Sequence, residues 1–183
     1  MNISSGSGVQ LREGRIIFPV VVNFIQDSDI ITNNYFIITD DLGATWFSTK
    51  EGPGVGNCVQ AKAVELNNQN ILAVIGQNGT TQMAVSPNGE TEWQSAGSFN
   101  NLQNGNSNIG LKRFTSTLDG FNKNRILLTI PNNNVGQFKN LMMFISYDEG
   151  STWAYSNVIE WGQSAYSSIA TTPNGDILVF YEK

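Results

Sequence analysis

Two acidic and aromatic octets contain the first side chains that could do chemistry. Residues 39–46 read TDDLGATW and residues 146–153 read SYDEGSTW, so Asp41 and Asp148 each follow a Thr or Ser by two positions. A carboxylate in such a motif could act as a general acid. It could instead accept backbone N–H bonds across a tight turn. Because the motif is repeated, a structural turn is favoured over two equivalent catalytic sites.

A third, weaker copy of the octet, SPNGETEW, occupies residues 86–93, with asparagine at the aspartate position. Glycine in the turn can adopt a positive φ, and the closing tryptophan can return into a strand and fill the space between sheets. The residues predicted to have this structural role are Asp41, Gly43, Trp46, Asn88, Trp93, Asp148, Gly150 and Trp153.

Composition limits the other chemistries. The chain has no histidine, which excludes a Ser-His-Asp triad and histidine metal sites within it. Cys58 is the single cysteine, so no disulfide can form within the chain. Without a base to activate it, Cys58 is expected to be a small buried hydrophobe. The segment GPGVG at 52–56 lacks the lysine and the helix of a phosphate loop and is interpreted as a loop that connects two of the repeated units.

Two further groups of residues are candidate ion sites. Aspartates at positions 27, 29, 40 and 41 offer oxygens for calcium, but they do not form a ligand run of the EF-hand type. Arg113 and Arg125 could bind an anion, although their Asn and Lys neighbours favour solvated loop positions. The sequence therefore predicts no metal site and no cofactor.

The charge pattern limits the partners. The 183 residues carry a net charge of −5, and the ten Lys and Arg residues are scattered. Binding to nucleic acid or to an anionic membrane is therefore not expected. The longest apolar run, around residues 16–22, is too short to span a bilayer. The first residues, MNISSGSG, lack the apolar segment of a secretory leader.

The elements that hold these residues are predicted to be β-strands. Short apolar, β-branched or aromatic runs end in Asn, Asp, Gly or Pro, and no sustained helical period is present. The runs cover residues 15–23, 34–39, 61–66, 71–76, 81–85, 125–130, 141–145 and 177–181. Turns rich in Asn and Gly join them as hairpins do. The sequence predicts an all-β fold of antiparallel meanders.

The spacing of the octets predicts a repeat architecture. They start at residues 39, 86 and 146, which gives intervals of 47 and 60 residues. Repeats of this length, each with three or four short strands, are typical of propeller blades. Residues 1–183 are therefore predicted to form one domain of about three to four antiparallel blades.

The octet is identified as the Asp-box of the BNR repeat, and the order of the other segments resembles the latter two-thirds of a sialidase (neuraminidase) propeller. The segments that carry the resemblance are SGSGVQLREGRIIFPV, VELNNQNILAV, NRILLTIPNN with FISYDEGSTW, and GQSAYSSIATTPNGDILVFYEK. The resemblance implies a partial ring of a six-bladed propeller. It also implies an exo-sialidase chemistry, in which three arginines bind the carboxylate of sialic acid and a glutamate deprotonates a nucleophilic tyrosine.

The resemblance places these groups at specific positions. Tyr166, in AYSS, matches the nucleophile. The glutamate would lie five residues before Glu65, where the chain has Gln60. The second arginine would follow at Gly76, and the third would lie 28 residues before the tyrosine, at Phe138. Lys139 is adjacent, but strand alternation would point it to the opposite face. The first arginine and the acid/base aspartate would lie outside this chain.

Three functions follow as expectations from this pattern. The preferred one is a catalytically inactive, sialidase-like propeller portion that acts as a binding or assembly module. The alternatives are an exo-sialidase with Tyr166 as nucleophile and a lectin-like module that binds a sialylated glycan. The family resemblance implies a secreted or cell-surface location.

An incomplete ring would expose the faces of its terminal blades. The missing blades could be supplied by another segment or polypeptide, by a second copy that closes a homodimeric ring, or by a larger assembly. The first and the third of these arrangements are favoured. The expected exposed surface includes Ile17, Phe18 and Val20 near the first blade.

Overall fold

The computed structural model describes residues 2–3, 7–99, 109–132 and 138–183, and these form almost entirely antiparallel strands. The strands are β1 (Asn2–Ile3), β2 (Val9–Gln10), β3 (Ile16–Gln26), β4 (Asp29–Thr39), β5 (Phe47–Ser48), β6 (Cys58–Glu65), β7 (Ile71–Gln77), β8 (Thr80–Ser86), β9 (Gln94–Ser98), β10 (Gly110–Thr115), β11 (Arg125–Pro131), β12 (Lys139–Ser146), β13 (Tyr155–Gln163), β14 (Ser167–Thr171) and β15 (Ile177–Tyr181). Within the described ranges the helical structure is a single 3₁₀ turn at Thr117–Asp119, and no helix there could cross a bilayer.

The strands form four sheets, which we number as blades in chain order. Blade 1 has the order β1-β3-β4-β5, with β2 also paired to β3; blade 2 is β6-β7-β8-β9, blade 3 is β10-β11-β12-β13, and blade 4 is the pair β14-β15. The predicted all-β meanders and the blade count are confirmed. The loop at 52–56 connects blades 1 and 2, and Gly54 forms a bridge with Asn34.

Blade 2 is buried on both faces, because its strands alternate between two cores. Ile71 and Ile75 of β7 pack with blade 1, whereas Leu72 and Val74 of the same strand pack with blade 3. All four side chains are 2% exposed or less. Burying a side chain of this size contributes about 1.5–3 kcal/mol. Because neither face of β7 is in contact with water, the strand is apolar at successive positions instead of alternating.

The Asp-boxes are hydrogen-bonded turns at the ends of β4, β8 and β12. In the third box, Asp148 Oδ1 accepts the Thr152 N–H at 2.8 Å and Oδ2 accepts the Thr152 hydroxyl at 2.6 Å. Ser146 Oγ accepts the Gly150 N–H at 2.8 Å. Asp41 makes the same bonds with Thr45 in the first box. These carboxylates are occupied by the turn, as expected for a structural motif.

The middle box closes its turn with an amide. Asn88 Oδ1 accepts the backbone N–H groups of Glu90 and Thr91 at 2.9 and 3.0 Å. The glycine of this box, Gly89, lies one position earlier than Gly43 and Gly150, and all three have positive φ. The turn therefore tolerates asparagine because the side-chain oxygen that accepts the bonds is retained.

Two of the three box tryptophans pack against the preceding blade. Trp93 stacks on Phe36 of blade 1 at 5.5 Å between ring centroids, and Trp153 contacts Phe99, which follows β9, at 5.2 Å. The prediction that Trp46 fills a space between sheets is wrong. It is 45% exposed and contacts Phe18 of its own blade, because no described sheet precedes blade 1.

The expected apolar surface at blade 1 is also wrong for the residues named. Ile17 and Val20 are 0% and 1% exposed, and Phe18 is half-buried against Trp46. Ile17 belongs to the core shared with blade 2. The most exposed apolar side chains of the blade 1 strands lie instead at the tip of the β3–β4 hairpin, where Ile25 and Ile30 are 83% and 67% exposed.

A half-buried ion pair joins blades 2 and 3 at the Asp-box end. Arg113 on β10 binds both carboxylate oxygens of Glu149 at 2.6 and 2.7 Å and donates to the Glu65 carbonyl at 3.0 Å. Glu149 also accepts the Asn67 N–H from the β6–β7 turn. Burial acts to raise the pKa of Glu149, but Arg113 and the Asn67 N–H hold it below its usual value. These bonds of Arg113 and Glu149 therefore link the Asp-box of blade 3 to blade 2.

We predict that Asp41 makes stability dependent on acid pH. The N–H and hydroxyl of Thr45 lower the pKa of Asp41 to about 2, so its stabilising effect is complete above its unfolded pKa of about 3.9 and is lost as pH falls towards 2. Urea unfolding of Asp41→Asn should therefore show a smaller loss of stability between about pH 4 and about pH 2 than the wild-type chain.

The matched control is Asp29→Asn, because the Asp29 carboxylate accepts no hydrogen bond from a described residue. This variant should retain the wild-type pH dependence. An Asp41→Asn profile parallel to the wild-type one would contradict the turn interpretation.

Candidate functional site

The candidate site residues lie at the strand ends opposite the Asp-boxes. Each Asp-box follows the end of a third strand, so the starts of β6, β12 and β14 lie at the other end of their sheets. Gln60 is near the start of β6, Phe138 immediately precedes β12 and Tyr166 immediately precedes β14. The antiparallel order therefore gathers the four predicted positions at one end of the propeller.

Gln60 and Gly76 are direct cross-strand partners between β6 and β7. Gln60 is 8% exposed, and Gly76 is buried. The next residue across the sheet is Thr81 of β8, whose side chain is fully buried. The positions expected for a glutamate and an arginine are thus side by side, and they hold a neutral amide and no side chain. The strand start is bulged, because the pairing shifts between Cys58 and Gln60.

Phe138 and the segment before Tyr166 line a second part of the site. A cleft of about 550 Å³ is bordered by Phe138, Lys139, Gln163, Ser164, Ala165, Glu182 and Lys183. The Phe138 carbonyl accepts the Ser164 N–H at 2.8 Å, which fixes the two segments together. Tyr166 is next to this lining and is 53% exposed. Its carbonyl accepts the Glu182 N–H, but its hydroxyl has no hydrogen-bond partner among the described residues.

The two parts of the site belong to different blades. Gln60 and Gly76 are on blade 2, whereas Phe138 precedes a strand of blade 3 and Tyr166 precedes a strand of blade 4. Cys58, near Gln60, is 1% exposed, and burial raises the pKa of its thiol. The thiol is therefore protonated at neutral pH, as expected for a buried hydrophobe rather than a nucleophile.

The expectation that Lys139 faces away from the site is wrong. Phe138 and Lys139 both line the cleft. The alternation fails because Asn140 has a positive φ of 57° and the β12–β13 register shifts between Lys139 and Leu141. Lys139 forms no ion pair with a described residue. It is a free cation at the place where the resemblance implies an arginine.

The other charges of the cleft are partly compensated. Lys183 binds Glu160 at 2.8 Å, and Glu160 also accepts the Gly162 N–H at 2.7 Å. The Lys183 hydrogen bond is the main cause that lowers the pKa of Glu160. Glu182 adds an acidic side chain to the lining. Among the described side chains that line the cleft, Lys139 is therefore the cation without an ion-pair partner, and it could donate a hydrogen bond to a small anion.

The two arginines considered as anion ligands are structural at the other end. Arg113 is on β10 and 16% exposed at its side chain, so the expectation of a solvated loop is wrong. Arg125 begins β11 and donates to Thr115 and Asn122. Among the described residues, no group of three or more acidic, cysteine or histidine side chains could hold a metal ion.

Lys62 is a site neighbour that the sequence reasoning missed. It lies two residues after Gln60 on β6, which places both side chains on the face towards blade 3. It is 5% exposed, and desolvation lowers its pKa to about 8. The signal was a lysine at an inward position of an otherwise apolar strand, two residues before Val64 of the core.

The fold defines a class of protein, namely propellers built from four-stranded blades with Asp-box turns. Comparison with known families narrows this class. Residues 2–179 match the family described as BNR repeat-like domain. The chain belongs to this family and, with it, to the sialidase/BNR-repeat superfamily.

Similar proteins are longer than this chain. A sialidase from Micromonospora viridifaciens is 28% identical over 188 residues, which cover 98% of this chain and 28% of that protein. The NanB sialidase from Streptococcus pneumoniae superposes with a TM-score of 0.78 at 22% identity over 99% of this chain and 28% of its own. The intramolecular trans-sialidase from Ruminococcus gnavus gives 0.74 at 22% identity, over 99% and 39%. The chain spans less than half the length of each.

We predict that Lys62 makes stability rise with pH above neutrality. The pKa of Lys62 is about 8 in the folded chain, below the ordinary value of 10.5. Between these pH values the unfolded chain binds more protons than the folded chain, so the free energy of unfolding rises with pH. The unfolding free energy of Lys62→Met, measured relative to the wild type, should therefore fall by roughly 3 kcal/mol between about pH 7 and about pH 10.5.

Urea unfolding at the two pH values measures the difference. Lys112→Met, at an exposed position of β10, is the matched control and should show no such change. If both variants have the same pH dependence, Lys62 is not desolvated in the folded chain.

Proposed function

We propose that this chain is a catalytically inactive portion of a sialidase-like propeller that acts as a binding or assembly module. The observation that carries the proposal is the cross-strand pair of Gln60 and Gly76. The two residues face each other at the strand ends where the resemblance implies a glutamate and an arginine. The two residues are partners in the sheet, so a different alignment with the family would have to displace both positions together.

The side chains at these positions cannot support the expected chemistry. A glutamine amide cannot take the proton of a phenol, so Tyr166 would not be activated as a nucleophile. Glycine provides no guanidinium for a substrate carboxylate, and Phe138 provides only an apolar ring. Tyr166 itself lacks a hydrogen-bonded carboxylate among the described residues.

An active exo-sialidase is the alternative function. The similar proteins are sialidases and an intramolecular trans-sialidase by name. Activity would require that residues outside the described ranges provide the missing groups. This chain covers 28% and 39% of two of those proteins, so such residues could belong to a longer protein. Tyr166 would then be the nucleophile.

Hydrolysis of a fluorogenic sialoside tests the proposal. Turnover should equal the buffer background, and Tyr166→Phe should be indistinguishable from the wild type, because no activated phenolate is present. Thermal melting of both chains serves as the folding control; the half-exposed Tyr166 hydroxyl makes a difference in Tm unexpected. Turnover above background that is lost in Tyr166→Phe would overturn the proposal in favour of the enzyme.

A glycan-binding module is a second candidate, favoured by the free cation in the cleft. Lys139 could bind the carboxylate of a sialylated glycan through one hydrogen bond, next to the ring of Phe138. A single ammonium lacks the fork of an arginine, so weak binding is expected. In a titration with a sialylated trisaccharide, Lys139→Ala should weaken binding at least tenfold, and Lys123→Ala, at the Asp-box end, should not. Equal affinities of the three chains would remove this candidate.

A further inference from the structure

Asparagine followed directly by glycine is a reactive pair, because a glycine has no Cβ to hinder attack of its backbone nitrogen on the asparagine amide. The chain contains four such pairs, at residues 78–79, 88–89, 104–105 and 174–175. The pair at 104–105 lies outside the described residues. The other three lie in different turns with different hydrogen bonds. The structure therefore distinguishes pairs that are equivalent in the sequence.

Asn88 is held in the middle Asp-box through both ends of its amide. Its Oδ1 accepts the backbone N–H groups of Glu90 and Thr91 at 2.9 and 3.0 Å, and its Nδ2 donates to the Thr91 hydroxyl at 3.3 Å. The N–H of Gly89, whose nitrogen would have to attack this amide, donates to the Ser86 hydroxyl at 2.9 Å. Both the amide and the nucleophile of this pair are therefore occupied.

Asn78 lies at the exposed tip of the β7–β8 hairpin. Neither its side chain nor the N–H of Gly79 forms a hydrogen bond with a described residue. The turn is closed by its neighbours instead, because the Thr80 hydroxyl donates to the Gln77 carbonyl at 2.9 Å. The amide of Asn78 and the nitrogen that would attack it are therefore both available.

Asn174 combines one feature of each of these turns. It is exposed between β14 and β15, and its side chain forms no hydrogen bond with a described residue. The Gly175 N–H, however, donates to the Thr172 carbonyl at 3.0 Å. The amide of this pair is available but its nucleophile is occupied, so a reaction requires that one hydrogen bond opens.

The Asn78 turn lies at the candidate site end of blade 2. Strand β8 ends in the Asp-box at Ser86, so the β7–β8 turn is at the opposite end of the sheet, two residues after Gly76. The Asn78 N–H donates to the Asn57 carbonyl at 3.3 Å, which places the turn next to the end of the loop that connects blades 1 and 2. A charge created at position 78 would therefore lie at the same end as the candidate site.

We propose that Asn78 is a site of spontaneous deamidation, whereas Asn88 is protected by the hydrogen bonds of its Asp-box. The Gly79 nitrogen attacks Cγ of Asn78, and an N–Cγ bond forms as the nitrogen loses its proton to water. The Cγ–Nδ2 bond breaks, and Nδ2 takes a proton from water and leaves as ammonia. Water then opens the succinimide ring at either carbonyl carbon, which gives aspartate or isoaspartate at position 78.

Either product adds a carboxylate to a chain whose net charge is already −5. The isoaspartate also adds a methylene group to the backbone of a two-residue hairpin turn. A carboxylate at the site end opposes the approach of an anion. The conversion goes beyond the proposed function, and it does not depend on whether the chain is catalytic.

Peptide mapping of the ageing chain tests the proposal. The folded chain is incubated at mildly alkaline pH, where the attacking nitrogen loses its proton more readily, and fragmentation mass spectrometry locates each amide that has become an acid. Asn78 should react at least tenfold faster than Asn88, and Asn174 should have an intermediate rate. In guanidinium chloride the hydrogen bonds of the turns are lost, so the three residues should react at similar rates.

Ser86→Ala isolates the protection of Asn88, because it removes the acceptor of the Gly89 N–H. In the folded variant Asn88 should react at least tenfold faster than in the wild type, whereas the rate at Asn78 should not change. Ser95→Ala, at an exposed position of β9, is the matched control and should leave both rates unchanged.

Thermal melting shows whether Ser86→Ala is folded at the incubation temperature. If it is not, Thr91→Val takes its place, since this variant removes only the hydroxyl that accepts the Asn88 Nδ2 bond. The rate at Asn88 should then rise by a smaller factor.

Isoelectric focusing gives an independent readout in a chain that carries Asn104→Gln, so that the pair outside the described residues does not contribute. This chain should acquire a species that is more acidic by one charge. Asn78→Gln should remove that first species, because glutamine has to close a larger ring. Asn157→Gln, at an exposed position of β13 that precedes valine, should leave it in place.

Equal rates at Asn78 and Asn88 in the folded chain would overturn the proposal. A folded-state rate at Asn78 at least tenfold below its rate in guanidinium chloride would also overturn it, because the hairpin tip would then protect its amide. An unchanged rate at Asn88 in a folded variant of its Asp-box would show that these hydrogen bonds do not provide the protection.

Discussion

The structure depends on one constraint, which is that the apolar strands of each blade need a sheet on both faces. Blade 2 satisfies it, and its β7 strand is dry on both sides because Ile71 and Leu72 pack with different neighbours. Neighbouring sheets are also joined by Trp93 and Trp153 of the Asp-boxes and by the bond between Glu149 and the Asn67 N–H. Blade 4 satisfies the constraint on the side where Ile169 is 6% exposed, whereas Phe180 is 68% exposed.

The same architecture separates stability from the candidate chemistry. The Asp-box turns and the Arg113–Glu149 pair lie at one end of the sheets, whereas Gln60, Gly76 and Tyr166 lie at the other. Substitutions at the site end therefore leave the turn hydrogen bonds untouched. Gly76 pairs with Gln60 through the backbone, so the β6–β7 ladder does not depend on a side chain at position 76. The fold can thus form with different side chains at the site end.

The sequence predicted the parts of the structure that follow from local patterns. Period-two and continuous apolar runs gave the strands, and the octets gave the turns at Asp41 and Asp148. The errors arose where tertiary context decides. The bulge at Asn140 brings Lys139 into the cleft with Phe138, and no local pattern marks it. Ile17 is buried because blade 2 covers it. A local sequence pattern does not show which face of a strand packs against the next blade.

The central claim is that Tyr166 stands in a sialidase-like scaffold without the groups that would make it a nucleophile. Covalent labelling tests this claim most directly, because a mechanism-based fluorinated sialoside leaves its sugar on an activated tyrosine. Intact-mass measurement after prolonged incubation should show the unmodified chain alone, with an active sialidase labelled in parallel. An added sialosyl mass that maps to Tyr166 by peptide sequencing, and that is absent from Tyr166→Phe, would contradict the account.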